Sequence, residues 1–264
     1  MINKNLSFIF LSISAILLFS SCTGSSGSLF SNNGTTITGI DNDTNITHNG
    51  TTYGTVISPY TGRIWLDRNL GASEVCSKSR GSFTSNENYN SSQMNCYGDY
   101  YQWGREHDGH QESNSTITTI LATSITSVGN SFIQNSSSSY DWSDIDDDGS
   151  VRSTNWSKID GTSICPIGYR VPTIEELKAE VIDLVDIDVV QNRDDAFNNF
   201  LKLPSAGARR YDNGSMHNPD SWGVLWTISA DGFNSYYLSF KSDTTAWGSD
   251  GNRASALSVR CVMD

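Results

Sequence analysis

Apolar and polar positions along the chain fall into a few short apolar blocks separated by long polar stretches, and the first block stands near the N-terminus. Leu6–Phe19 is apolar apart from its serines, and the cation Lys4 precedes it. A run of this length is short for a membrane span, and a positive start followed by an apolar segment is typical of a signal peptide. We therefore predict that residues 1–21 are a signal peptide and that the mature chain begins at Cys22.

Alternation of apolar and polar residues predicts β-structure near both ends of the remaining chain. Tyr53–Ser58 and Arg63–Asp67 flank the turn Pro59–Gly62, which predicts a β-hairpin. Turn signals at Asp231-Gly232 and at Asp250-Gly251-Asn252 separate later apolar blocks. Those blocks are predicted to form three strands, Gly223–Ile228, Tyr236–Lys241 and Leu257–Met263.

Two segments have the period of an amphipathic helix. Thr173 and Glu176 match the capping box that starts a helix. The apolar stripe that follows consists of Leu177, Val181, Leu184 and Val185. A second helix is predicted over Asp194–Leu203. The order of hairpin, long loops, two helices and a β-rich C-terminus predicts an α+β domain rather than alternating βαβ units.

The composition changes near residue 53. Residues 22–52 are mostly Gly, Ser, Thr and Asn with isolated apolar positions, which predicts a flexible tether. Residues 53–264 are predicted to form one folded domain, because they are numerous enough to bury a sizeable core. The aromatic-rich segment Tyr97–Arg105 is expected to pack into that core.

Charge limits the partners. The 264 residues include 17 Lys and Arg against 29 Asp and Glu, which gives a formal net charge of −12. Phosphate backbones and anionic lipid head groups are bound by clustered cations, which this composition lacks. Nucleic acid is therefore excluded as an expected partner.

Four cysteines remain after Cys22, namely Cys76, Cys96, Cys165 and Cys261. An even number in an exported chain indicates two disulfides, for which three pairings are possible. We favour Cys76–Cys96 as a local loop and Cys165–Cys261 as a long-range link. A metal or redox site is the alternative, but the chain has no CxxC and no zinc-like spacing.

An acidic motif makes calcium a candidate cofactor. Asp144, Asp146 and Asp148 alternate and are followed by Gly149, and such carboxylates can converge on Ca²⁺. The twelfth position of the motif is Asn155 rather than Glu, so a full EF-hand is not expected. The alternatives are a calcium-binding loop and a solvated acidic turn. We interpret His107–His110 as a surface loop because no third metal ligand is visible nearby.

The C-terminal stretch is rich in Tyr, Trp, Asn and Ser, residue types that give rigid aromatic contacts together with adaptable hydrogen bonds. The alternative interpretation is an ordinary sheet packed on the core with polar edges. The candidate ligand-binding residues are Asn234, Tyr236, Tyr237, Asp243, Trp247 and Asn252.

The end of the signal segment resembles the lipobox of bacterial lipoproteins. Its residues are Leu18-Phe19-Ser20-Ser21-Cys22, with Phe19 where the family pattern prefers Leu. The resemblance implies that Cys22 carries lipid, which anchors the protein stably in a membrane. Because Thr23 rather than Asp follows Cys22, it also implies sorting to the outer membrane of the cell envelope, facing either the periplasm or the exterior.

Four blocks of the domain together resemble the Fibrobacter succinogenes major paralogous domain family over about residues 53–264. They are Trp65–Ala72, Tyr97–Arg105, Cys165–Thr173 and Ser258–Cys261. Arg170–Thr173 followed by Glu176-Leu177 also resembles the RLPTEAEW block of formylglycine-generating enzymes. The resemblance implies a C-type-lectin-like fold, with paired terminal strands, small antiparallel sheets and functional loops. It also favours the Cys165–Cys261 link.

These observations predict a non-catalytic binding module whose ligand is a protein or a carbohydrate. One alternative is a receptor diversified by a retroelement, with residues 234–253 as its variable part. The other is an oxidase that resembles the formylglycine generators. Such an enzyme needs a reactive cysteine pair in its C-terminal half, whereas no cysteine lies between Cys165 and Cys261.

Overall fold

The computed structural model describes residues 45–78, 95–181 and 190–264. The predicted signal peptide, Cys22, most of the predicted tether, and Leu184 and Val185 of the predicted helix stripe lie outside these residues. Within the three described ranges, no helix has the length and apolar character that a membrane span requires.

The described chain begins with a small β-hairpin. Strands β1 (Ile46–His48) and β2 (Thr51–Tyr53) pair antiparallel. Asn49 and Gly50 join them with φ of 46° and 78°, which is the geometry of a tight two-residue hairpin turn. Ile46 packs against the core.

The hairpin corrects the predicted boundary of the tether. Residues 46–52 were expected to be flexible, but they form β1, the turn and most of β2. Ring atom Nε2 of His48 lies 2.8 Å from the carbonyl oxygen of Ile164, so the hairpin is also fixed from outside. The Asn-Gly pair between alternating residues was the sequence signal for this element.

A four-stranded sheet joins the two ends of the domain. Strands β3 (Thr55–Ile57) and β4 (Ile64–Leu66) form the predicted hairpin, which is confirmed. The sheet has the order β3-β4-β15-β8, where β8 is Tyr169–Arg170 and β15 is Val262–Met263. The last strand is therefore paired with β4 on one side and β8 on the other.

A second four-stranded sheet has the order β10-β9-β14-β5. Its members are β5 (Tyr101–Gln102), β9 (Ala208–Arg209), β10 (Met216–His217) and β14 (Ala256–Leu257). Separately, β6 (Ile117–Thr118) and β7 (Phe132–Ile133) form a short parallel pair.

The longest strands form a three-stranded antiparallel sheet in the order β11-β12-β13. They are β11 (Gly223–Asp231), β12 (Asn234–Phe240) and β13 (Thr245–Gly251). Two of the predicted strands and the turn at Asp231-Gly232 are confirmed. The predicted turn at Asp250-Gly251-Asn252 is wrong in part, because Asp250 and Gly251 belong to β13, which the sequence pattern had not indicated.

Residues 95–97 are helical, and three longer helices lie in the described ranges, one of which was not predicted. They are α1 (Ser150–Trp156), α2 (Ile174–Val181) and α3 (Arg193–Asn198). The capping box of α2 is confirmed, since the Thr173 amide donates to the Glu176 carboxylate at 2.9 Å and the Glu176 amide donates to Thr173 Oγ1 at 3.1 Å. Helix α3 ends five residues before the predicted Leu203, and α1 was not predicted at all.

The aromatic-rich segment Tyr97–Arg105 packs into the core as predicted. Trp103 is completely buried and donates from its indole Nε1 to the carbonyl oxygen of Thr227 at 2.8 Å. Trp226 is also completely buried and donates to the carbonyl oxygen of Tyr101 at 2.9 Å. Each indole N–H is satisfied, so these rings add apolar contact without a desolvation penalty.

Both favoured disulfides are present. Cys76–Cys96 closes a loop of 20 residues, and Cys165–Cys261 links positions 96 residues apart. In the loop-entropy model they stabilise the fold by roughly 3 and roughly 5 kcal/mol. The architecture is an α+β domain of several small, mostly antiparallel sheets with few helices.

Candidate functional site

A cleft of about 340 Å³ lies between the β11–β13 sheet and the β9–β10 hairpin and opens to solvent. Its lining combines aromatic rings with hydrogen-bonding side chains. The lining residues outside the cleft floor include Arg209, Arg210, Tyr211, His217, Trp222, Tyr237, Asp250, Asn252 and Ser255.

The floor of the cleft is apolar and fixed. Val224, Trp226 and Leu257 form it, and each is at most 3% exposed. The indole Nε1 of Trp226 donates to the carbonyl oxygen of Tyr101 at 2.9 Å, and the Trp226 ring lies edge-to-face with the Tyr237 ring at a centroid distance of 6.2 Å. A ligand would therefore meet a surface that is already in place.

Tyr237 forms one side wall. Its hydroxyl donates to Asp250 Oδ1 at 2.9 Å. Burial, with a further contribution from Asp250, raises the pKa of Tyr237 to about 12. The phenol therefore stays protonated near neutral pH, and the hydrogen bond orients the Asp250 carboxylate at the cleft rim.

Two glycines of β13 make room for the rings. Gly248 is paired directly with Tyr237 across the strands, and a Cβ at Gly248 would overlap the Tyr237 ring. A Cβ at Gly251 would lie 2.5 Å from Cζ3 of Trp226. Because only glycine leaves this space, β13 can approach both rings closely.

Trp222 also lines the cleft and is partly exposed. Its Nε1 donates to Ser239 Oγ at 2.7 Å. The His217 ring stands edge-to-face with it at a centroid distance of 5.9 Å, and Lys241 Nζ lies 5.9 Å from its ring centroid. The indole is thus held on several sides while part of its surface faces the cleft.

The two arginines at the cleft have different roles, and neither has an unbound charge. Arg209 is buried and donates to the carbonyl oxygens of Gly214 and Ser115, each at 2.7 Å. Burial lowers the pKa of Arg209 to about 10. Arg210 forms an ion pair with Asp212. Arg209 therefore fixes the wall of the cleft, and Arg210 lies at its rim already neutralised.

Three side chains of the lining have hydrogen-bonding groups without an internal partner. The hydroxyls of Tyr211 and Ser255 and the amide of Asn252 form no hydrogen bond to any residue in the described ranges. Within the same ranges, Asp250 Oδ2 also accepts none, since the bond from Tyr237 goes to Oδ1. These groups are available to a ligand.

The predicted ligand-binding residues are divided among three places. Tyr237 and Asn252 line the cleft. Asp243 and Trp247 line a different depression beside α2, where Lys178 Nζ lies 5.7 Å from the Trp247 ring centroid. Asn234 and Tyr236 line neither depression. The structure does not bring all six together.

Several cleft residues were missing from the predicted set. Trp222 and Asp250 lie close in sequence to predicted members, whereas Tyr211 and His217 come from the distant β9–β10 hairpin. Asn213-Gly214 was a sequence signal for that hairpin, but no local pattern placed the hairpin beside the C-terminal sheet. It reaches the cleft because β9 pairs with β14 in the second sheet.

The acidic motif caps a helix. Asp146 accepts from the backbone amides of Val151 and Arg152 at 3.0 Å, and its Oδ2 lies 3.1 Å from Arg152 Nε. Asp148 accepts from the Ser150 amide at 3.0 Å. No group of three or more His, Cys, Asp or Glu residues able to hold a metal occurs within residues 45–78, 95–181 and 190–264. Calcium at Asp144, Asp146 and Asp148 stays a prediction.

The interpretation of His107–His110 as a surface loop is wrong for His110, which is completely buried. Its Nε2 accepts from the Gln102 amide at 3.0 Å, and its Nδ1 lies 2.6 Å from Asp108 Oδ1. Burial lowers the pKa of His110 to about 4, so the ring is neutral. A histidine was required here because its ring nitrogen satisfies a backbone amide inside the core.

Comparison of the chain with family models, with curated proteins and with solved structures finds no match. The arguments about function therefore come from the geometry of the chain itself. The resemblance to the Fibrobacter succinogenes major paralogous domain family stays a prediction.

Proposed function

We propose that this chain is a non-catalytic binding module and that its protein or carbohydrate ligand enters the cleft between the β11–β13 sheet and the β9–β10 hairpin. One observation carries the proposal. Rigidly held aromatic rings stand next to hydrogen-bonding groups that lack partners among the described residues. Pockets that bind ligands combine an apolar lining with a few such polar groups in the same way.

Preorganisation supports this function. Hydrogen bonds fix Trp222, Trp226 and Tyr237, and the glycines of β13 leave space for the close packing of two of these rings. Binding therefore orders few side chains, which lowers the entropy cost of association.

The cysteine pairing favours binding over oxidase chemistry. A formylglycine-generating-like enzyme would need reactive thiols in the C-terminal half. Cys165 and Cys261 are joined to each other and have no thiol to offer. Cys76 and Cys96 are likewise paired.

The proposal includes lipid attachment at Cys22 and a location in the cell envelope, where a tether would separate the domain from the membrane. Between Cys22 and the first described residue, Asn45, the chain has about 75 Å of reach when fully extended. A C-type-lectin-like fold also belongs to the proposal. The pairing of β15 with β4, which brings the last strand beside an early strand of the domain, supports it.

A diversified receptor is the second candidate, and one observation favours it. Residues 234–253 form β12, β13 and the connections beside them, and they supply Tyr237, Asp250 and Asn252 to one wall of the cleft. Sequence changes confined to this segment would alter the cleft and leave β9–β10 intact. A reverse transcriptase gene and a near-identical template repeat beside the coding sequence are expected in that case, and their absence removes this candidate.

The proposed function is tested with the full chain on combined protein and glycan arrays, followed by titration of the best ligand. Asn252→Ala removes an unpaired amide from the cleft and should weaken binding about tenfold, the equivalent of one well-formed hydrogen bond. Asn234→Ala is the matched control, because Asn234 lies outside the cleft. Equal binding by both variants would contradict a ligand site in the cleft.

A further inference from the structure

We infer that the cleft takes a neutral sugar ring rather than an ion or an extended peptide, an inference that rests on the binding function proposed above. The argument uses the kind of polar group that the cleft offers, the balance of its charges, its size and the position of its aromatic rings.

The unpartnered groups match hydroxyls. The Asn252 amide and the hydroxyls of Tyr211 and Ser255 can each donate and accept, and Asp250 Oδ2 can accept. A sugar ring presents several hydroxyls, each of which is both a donor and an acceptor. A single ionised group, by contrast, would use only half of this capacity.

The charges of the cleft argue against an ionic ligand. An anion would need an unbound cation, but Arg209 is committed to carbonyl oxygens and Arg210 is paired with Asp212. A cation would be attracted by Asp250, but that carboxylate is exposed and hydrated, so the attraction is weak. A neutral ligand avoids the desolvation cost that an unmatched charge would bring.

The size of the cleft excludes a long chain. A volume of about 340 Å³ is near the lower end of the range for ligand pockets. It accommodates one or two small rings. An extended peptide is bound more readily by strand addition at a sheet edge, and β13 is one of the two edge strands of its sheet. Such a peptide would leave the cleft empty.

The rings provide the apolar contact. Trp222 and Tyr237 both line the cleft and are partly exposed, whereas Trp226 is completely buried beneath them. The C–H face of a sugar ring can pack on either exposed ring while its hydroxyls reach Asn252 and Ser255. Aromatic contact and hydrogen bonding are then used together.

The test uses the full chain on one array that carries neutral oligosaccharides, uronate-containing oligosaccharides, amine-bearing oligosaccharides and peptides. We expect binding to neutral oligosaccharides that changes little when the salt concentration is raised about tenfold, because no charge is involved. Trp222→Ala and Asn252→Ala should each lower affinity about tenfold or more. Tyr236→Phe and Asn234→Ala should leave it unchanged, since neither residue lines the cleft.

Trp222→Phe keeps an aromatic ring and separates loss of folding from loss of contact. It should retain more affinity than Trp222→Ala while both variants keep the circular dichroism of the parent. Salt-sensitive binding of charged oligosaccharides, or binding of peptides, that is lost in Asn252→Ala would overturn the sugar assignment and leave the binding function standing. Ligands whose affinity ignores every cleft variant would overturn both.

Discussion

The molecule has two regions that are rich in aromatic residues. Trp222, Trp226 and Tyr237 line the cleft, whereas Trp103 and Trp142 surround Arg152 in the interior. The two regions differ in whether their polar groups have hydrogen-bonding partners. Arg152 has its guanidinium carbon 5.5 Å and 5.1 Å from the ring centroids of Trp103 and Trp142.

In this interior region every strong polar group has a partner. Arg152 donates to both oxygens of Asp141, at 2.7 and 2.8 Å, and also reaches Asp146. Arg253 lies over Trp103 at 4.6 Å and donates to the carbonyl oxygens of Asp147 and Gly232. Buried charges persist when paired and hydrogen-bonded in this way. The hydrogen-bonding groups of the interior region are therefore satisfied, whereas several of those in the cleft have no partner among the described residues.

The largest expected effect comes from removing the ion pair between Arg152 and Asp141 in the interior region. Asp141→Ala removes two acceptors of the buried Arg152 guanidinium, which then keeps only Asp146, and it also removes the carboxylate that lies 3.5 Å from the buried Arg253. It should lower the free energy of unfolding by about 3–5 kcal/mol. Denaturant unfolding followed by tryptophan fluorescence measures it. Asp144→Ala, an exposed aspartate of the neighbouring acidic turn, is the control and should unfold like the parent. Equal stability of both variants would mean that the ion pair does not hold the region together.

The next largest effect is a pH dependence that arises in the interior and not in the cleft. The pKa of His110 is about 4 in the folded chain and 6.5 in its reference state. Because the folded pKa is lowered, the stabilisation is present above pH 6.5 and is lost as the pH falls towards 4. The loss amounts to roughly 3 kcal/mol. His110→Gln should flatten the unfolding free energy over this range, and an unchanged slope would contradict the assignment.

Asp99 should act in the opposite direction, which distinguishes it from His110. Burial raises its pKa from 3.8 to about 6. A raised pKa gives stability that is present below pH 3.8 and is lost as the pH rises through 6. Asp99→Asn should therefore raise the free energy of unfolding at pH 7 by about 1–2 kcal/mol and have little effect near pH 4. Unfolding at the two pH values measures the difference, and a destabilised variant at pH 7 would refute it.

An effect of similar size is expected where β13 supports the cleft. Gly248→Ala places a methyl group against the Tyr237 ring and should cost about 1–3 kcal/mol through overpacking. It should also displace the cleft wall, so ligand affinity falls in parallel. Ala246→Val, on an exposed position of the same strand, is the control. Thermal unfolding and ligand titration measure the two effects. If Gly248→Ala loses neither stability nor affinity relative to Ala246→Val, Gly248 is not needed to make room for the Tyr237 ring.

The smallest effect separates the two neighbouring tyrosines. Tyr237→Phe removes the hydroxyl that orients Asp250 and should change stability by less than about 1.5 kcal/mol. Its effect on ligand affinity should exceed that of Tyr236→Phe, whose side chain does not line the cleft. If the two variants bind alike, Asp250 does not depend on Tyr237 for its position.

Sequence patterns predicted the elements whose signals are local. The capping box at Thr173 and Glu176 and the hairpin of β3 and β4 depend on residues a few positions apart. The cysteine count indicated two disulfides, and the favoured one of the three possible pairings is the one present. These features do not require knowledge of distant neighbours.

The elements that escaped depend on distant partners. Gly248 and Gly251 are typical of turns, yet in β13 they lie opposite aromatic residues of other strands. Helix α1 has no apolar stripe, and Asp146 and the ion pairs of Arg152 hold it instead. The cleft is formed by strands from separate parts of the chain. It could be predicted only from the pairing of β9 with β14, which local sequence patterns do not give.

The Cys165–Cys261 bond also defines a route for mechanical load. His48 contacts the carbonyl oxygen of Ile164, whose neighbour Cys165 is covalently joined to Cys261 beside the last strand. Tension applied where the chain enters the domain would reach the C-terminal strand through this route as well as through the backbone. Unravelling that starts at the first hairpin could not pass Cys165 without leaving that residue covalently joined to Cys261 beside the last strand.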